Sequence, residues 1–161
     1  MKYFTIEEFT RSETAKAKGI DNTPSEWQRN NIIDLVENLL DDLREDWGIY
    51  CKMYNLGTGA IRVSSGVRND ALNKAVGGSK TSAHTHGWAA DLVPYNHQMM
   101  HFKRFCRDWL KNRAFDQMIS EEEDYRGVPR WVHIGYKNRQ GNQRRQFLTM
   151  KNGKYYPLTA C

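Results

Sequence analysis

The sequence predicts an α+β domain in which a mostly antiparallel central sheet is flanked by helices. Two long stretches repeat their apolar residues at helical spacing, whereas short β-type runs fill most of the second half. The last two runs flank Asn152-Gly153, a pair that favours a tight hairpin, and no strand–helix–strand alternation links the set.

Phe4, Ile6 and Phe9 form a short apolar opening, and a polar segment follows to Asp21. Thr23-Pro24-Ser25-Glu26 reads as a capping box. Thr23 accepts from the first turn, Glu26 reaches back, and Pro24 takes the first helical position. Ile32, Leu35 or Val36, Leu39 or Leu40, Leu43 and Trp47 then line one face of a core helix that Gly48 ends. Residues 61–64 alternate as a strand, Ser65-Gly66 turns the chain, and a short helix covers 69–75. A loop opens at Gly77-Gly78-Ser79 and runs to Gly87. Residues 89–93 form a buried strand ending at Pro94. A second long helix spans 96–110, with Met99 or Met100, Phe102 or Lys103, Cys106, Trp109 and Leu110 on or near its inner face. Strands follow at 115–119 and 130–136, then the hairpin strands 146–150 and 154–158.

With 161 residues and no linker or repeat, the chain is expected to form one domain over 1–161. No run approaches the roughly 18 apolar residues of a membrane span, so none is expected. The first twenty residues hold no apolar core of a secretory signal, which predicts a protein that is cytoplasmic as made. The net charge of +5 is a modest hint of an anionic partner. Its one uninterrupted basic run, 137–145, matches no nucleic-acid motif, so specific nucleic-acid binding is not expected. The three cysteines are far apart, which excludes a thiolate metal site and a disulfide framework. Any metal must be held by histidine and carboxylate.

The residues that carry chemistry lie between Gly78 and Leu92 and around His133. His84 in a loop and Asp91 in the next strand can converge if Gly87 lets the chain bend between them. His133 shares a strand face with Trp131, opposite Val132, Ile134 and Tyr136. Taken alone, it reads first as a core histidine with a partner for each ring nitrogen, and only second as a ligand. His97 and His101 lie one helical turn apart but have no evident third ligand.

Ser82, His84, Gly87, Ala89 and Asp91 fill the pattern S-x-H-x-x-G-x-A-x-D, and Trp131-Val132-His133-Ile134 and Ser65-Gly66-Val67-Arg68 supply two further motifs. In that order they resemble the zinc D-Ala-D-Ala carboxypeptidase and L-Ala-D-Glu endopeptidase family. The opening Phe4-Thr5-x-x-Glu8-Phe9 and the helix carrying residues 35–40 resemble its phage and prophage branch. The resemblance implies a hedgehog/D-Ala-D-Ala peptidase-like fold and one Zn²⁺ per chain on His84, Asp91 and His133. Three ligands with one open position are the catalytic arrangement of zinc. It further implies a peptidoglycan stem peptide as substrate, Arg68 as a catalytic and substrate-binding group, and a carboxylate base. Some members place that acid three residues before the last histidine, where this chain has Arg130. The phage-like branch points instead to Glu121, with Asp124 and then Glu123 as less favoured candidates. Ser82 and His86 are expected to contact substrate, and Asp116 to orient a ligand imidazole. A monomer acting on the cell wall after phage-type release, or by another route, completes the expectation. The missing acid at 130 keeps open a degenerate member that holds zinc and binds without cutting.

Overall fold

The computed structural model describes residues 1–158; Cys161, one of the three cysteines, lies outside the described residues. Among the described residues six α-helices and six strands follow one another, helices mostly in the first part and strands in the last. They are α1 (Ile6–Thr10), α2 (Glu13–Lys18), α3 (Glu26–Leu35), α4 (Asp41–Met53), β1 (Ile61–Ser65), α5 (Asp70–Ala75), β2 (Ala89–Pro94), α6 (Met99–Leu110), β3 (Gln117–Glu121), β4 (Trp131–Gly135), β5 (Gln146–Lys151) and β6 (Lys154–Pro157).

The strands form one sheet in the order β1-β2-β4-β3-β5-β6. Every neighbouring pair is antiparallel except β3 and β5, which run parallel. The expected architecture is therefore present, with one parallel pair inside it. Antiparallel partners share a face of the sheet, so its two sides separate cleanly. Ala90, Leu92, Met118, Val132 and Ile134 point to one side and are fully buried beneath the helices, packed with Trp47, Phe102 and Cys106. Asp91, Ile119, Glu121 and His133 point to the other.

The long helical region departs from the expectation at its start and near its end. Thr23 is tied to Asp21, donating its hydroxyl to Oδ1 at 2.6 Å, so it is not free to cap. Ser25 takes that role: its Oγ accepts from Gln28 N at 3.1 Å, and Gln28 Oε1 accepts from Ser25 N at 2.9 Å. Two overlapping capping-box patterns competed, and the downstream one won. A π-helical turn over Val36–Leu40 joins α3 to α4, and it brings Val36, Leu39 and Leu40 into the core. Gly48 does not stop the helix, which runs on to Met53. The absent side chain at Gly59 of the following loop lets it lie directly against the helix at Gly48, where a Cβ on Gly59 would collide with Gly48 Cα.

The opening segment also folds into more than an apolar patch. α1 and α2 form there, and Glu8 Oε2 accepts from Thr5 N at 2.7 Å to fix the start of α1. Phe9 O then accepts from Val67 N at 2.7 Å, which ties α1 to the turn after β1. β3 starts later than expected and includes Ser120 and Glu121, so Glu121 ends a strand rather than occupying a loop.

Gly66 is the tightest point of this contact. A Cβ there would stand 2.5 Å from Phe9 O and 2.6 Å from Phe9 Cα. Gly66→Ala is expected to push α1 away and to destabilise the protein by about 1–3 kcal/mol, the range of an overpacked interior. Urea denaturation of the metal-free protein measures this; an unchanged midpoint would mean that α1 is not pinned at Gly66.

Candidate metal centre

Chain direction and strand register assemble the site. Asp91 on β2 is the direct register partner of His133 on β4, so their side chains leave the sheet side by side. His84 comes from a short 3-10 turn over Ala83–Thr85, just ahead of β2. Gly87 makes the approach possible: its φ is +86°, and a Cβ there would meet Gln28 O at 2.7 Å. The three residues are buried, and one donor atom from each lies within 4.8 Å of the others.

The contacts define which atoms face inward. Asp91 Oδ1 lies 3.0 Å from His133 Nδ1 and 3.3 Å from His84 Nε2. His84 Nδ1 is 2.7 Å from Gly66 O. That carbonyl fixes the tautomer with the proton on Nδ1 and leaves Nε2 as the free donor, the pattern of a metal-ligating histidine held by its outer nitrogen. Burial favours neutral Asp91, yet the two histidines outweigh it and hold the carboxyl below its ordinary range. Burial likewise opposes the charged form of His133, but the hydrogen bond and charge of Asp91 raise its pKa. At His84 burial prevails and lowers it. A desolvated carboxylate between two imidazoles is a donor set that fits one divalent cation of the zinc type.

Two further groups face this cluster. Glu121, at the end of β3, is the register partner of Trp131 and lies two positions along the strand from the partner of His133. Burial first, then the negative charges of Asp91 and Glu122, push its carboxyl up to about 7. Glu122 adopts a left-handed φ of 51°, and β3 ends at Glu121 directly before it. Arg68 follows β1, with its backbone N–H bonded to His84 O at 2.9 Å. Its Nη2 donates to Ser82 Oγ at 3.4 Å, while its buried Nε has no partner. Burial lowers its pKa against the pull of Asp91 and Glu121. Ser82 also accepts from His84 N at 3.3 Å and so braces the loop as well as the arginine.

The matched family model covers residues 2–135 and describes peptidase M15. This chain belongs to the peptidase M15 family. No curated protein matches it. The M15 assignment agrees with the α+β architecture and with a metal centre on His84, Asp91 and His133.

The remaining candidates sit elsewhere. The side chain of Glu123 is fully buried and accepts from Lys103 Nζ at 2.7 Å and Thr149 Oγ1 at 3.2 Å. Asp124 accepts from Arg126 N and Val128 N in an exposed turn. His86 is 2% exposed, wedged against Trp27 and Trp88, and its pKa falls to about 4 because of burial and then Arg139 and His84. Asp116 does not reach an imidazole; Arg144 grips it with Nε and Nη2, each at 2.8 Å. His101 bonds Tyr50 rather than pairing with His97. Sequence reasoning missed Gly66 as the holder of His84, and it left Lys103 ambiguous. A lysine on the inner face of an amphipathic helix was the available signal that a buried anion awaited it.

Asp91→Ala is expected to abolish stoichiometric binding of a divalent metal, whereas His86→Ala keeps it; metal analysis after dialysis distinguishes them. Protons compete for the same imidazole nitrogens, so metal is released as pH falls. The raised pKa of His133 brings that release to higher pH than an ordinary histidine would.

Proposed function

We propose that the protein is a zinc peptidase that hydrolyses a bond adjacent to a D-amino acid in peptidoglycan stem peptides, as a D-Ala-D-Ala carboxypeptidase or an endolysin-type endopeptidase. The observation that carries the reaction class is Glu121, a buried carboxylate on the same sheet face as the His-Asp-His cluster. The stem peptide follows from the motif resemblance.

A zinc ion on His84, Asp91 and His133 would supply a Lewis acid for the scissile carbonyl. Glu121 takes the proton from the attacking water and passes it to the leaving amine. A carboxyl that burial lifts above its ordinary range suits both directions of that transfer. Arg68 makes no ion pair among the described residues, and its nearest polar partner is a neutral hydroxyl. A half-hidden guanidinium so placed is set to receive a substrate carboxylate in its planar fork. Glu123 and Asp124 are poor bases here, since each is already held by donors of its own. The net positive charge would assist association with an anionic wall. Release from the cytoplasm by a phage-type route is part of the same proposal.

Glu121→Gln is expected to keep the metal and to cut turnover of defined stem peptides by about 10²–10⁴-fold. Unchanged cleavage would remove Glu121 from the mechanism. A wild-type protein that binds zinc and stem peptide but cleaves nothing would favour the non-catalytic reading. Because Glu121 must be ionised to act, kcat/KM should fall as pH drops. A bound cation lowers its pKa, so the acid limb lies between its ordinary 4.5 and about 7.

A further inference from the structure

The hairpin of β5 and β6 lies beyond the 2–135 stretch that the family model matches, yet it extends the same sheet. β5 runs parallel to β3, with Leu148 opposite Ile119. Met150, two residues on, is therefore on the face of Glu121, and it pairs directly with Tyr155 of β6. Two inter-strand steps separate Tyr155 from Glu121, about 10 Å of sheet. Burial raises the phenol's pKa, and the charges of Glu121 and Asp91 on the same face add to that rise. Unlike His86, Tyr155 is 59% exposed and has a surface to offer.

Along this face the groups stand in strand order. Arg68 and Ser82 lie beside β1 and β2, the metal ligands on β2 and β4, Glu121 on β3 and Tyr155 on β6. If Arg68 receives a carboxylate on the C-terminal side of the scissile bond, the acyl side of the peptide must extend over β3 toward β6. We infer that Tyr155 is a specificity-determining residue whose ring forms the wall of the cleft against the acyl side of the peptide. This rests on the peptidase reading above. An aromatic ring offers large rigid contact area at low entropic cost, and contacts remote from the reacting bond raise turnover of extended substrates.

The test uses zinc-loaded full-length protein and two stem peptides with the same scissile bond and C-terminal side. One keeps its residues on the acyl side, and the other is truncated to a single residue there. Tyr155→Ala is expected to lower kcat/KM about tenfold on the long peptide and less than about twofold on the short one. Tyr155→Phe, which keeps the ring, stays within about threefold on each. Tyr156→Ala, on the opposite face of β6, leaves both peptides unaffected. Should Tyr155→Ala fail to fold, Tyr155→Thr keeps strand propensity and is read in its place. Equal losses on the two peptides, no loss on either, or the same selective loss in Tyr156→Ala overturns the inference while leaving the peptidase reading intact. Failure of the wild type to cleave either peptide overturns the peptidase reading and this inference with it.

Discussion

Asp91 stands across from His133 on neighbouring antiparallel strands, and the rest of the site follows from that register. A one-residue slip between β2 and β4 would move every β4 side chain to the opposite face and leave Asp91 without its partner. The slip is opposed from the other side of the sheet. Ala90, Leu92, Val132 and Ile134 are fully buried against the helices, and shifting either strand would expose them. The hydrophobic face thus holds the polar face in register, although none of its residues touches the chemistry.

The division of faces also explains where charge is tolerated. Asp91 survives burial as an anion because two imidazoles hydrogen-bond it, whereas at Glu121 burial outweighs the pull of His133 and Arg68 and its carboxyl rises to about 7. The same rule accounts for the fully buried pair of Lys103 and Glu123 at 2.7 Å. Neither charge would be stable there alone, since removing one partner of a buried pair strands the other. Lys103 Nζ also donates to Gly127 O at 2.9 Å, so α6 holds the loop that leaves β3 just after Glu121. Three cations of the basic run have comparable structural tasks. Lys137 pairs with Asp34, Arg144 with Asp116, and Arg145 donates to Lys111 O at the end of α6.

Much of this architecture could be read from local pattern. The periodic stripes of α3, α4 and α6, the alternating strands and the Asn152-Gly153 turn each depend on residues near one another in the chain. Element boundaries were harder where two local signals overlapped, as with Thr23 and Ser25 at the start of α3. Gly48 misled for a different reason. It resembles a helix stop, but the helix runs through it and its backbone packs against Gly59, a segment eleven residues later.

The sequence by itself determined the sheet-and-helix class, because periodicity and turn residues are local, while His84, Asp91 and His133 were marked as one donor set only through the resemblance of their motifs to a zinc peptidase family. Tertiary structure decided which acids belong to the site. Glu121, Glu123 and Asp124 are near neighbours in a run of like charge, so composition cannot separate them. Their environments can: a buried sheet face for Glu121, a lysine from α6 for Glu123 and backbone amides for Asp124. The placement of Tyr155 was invisible for the same reason, since it comes to the face of Glu121 only through the parallel pairing of β5 with β3. Burial and cross-strand partners are set by contacts between distant segments, and those are settled only when the sheet closes.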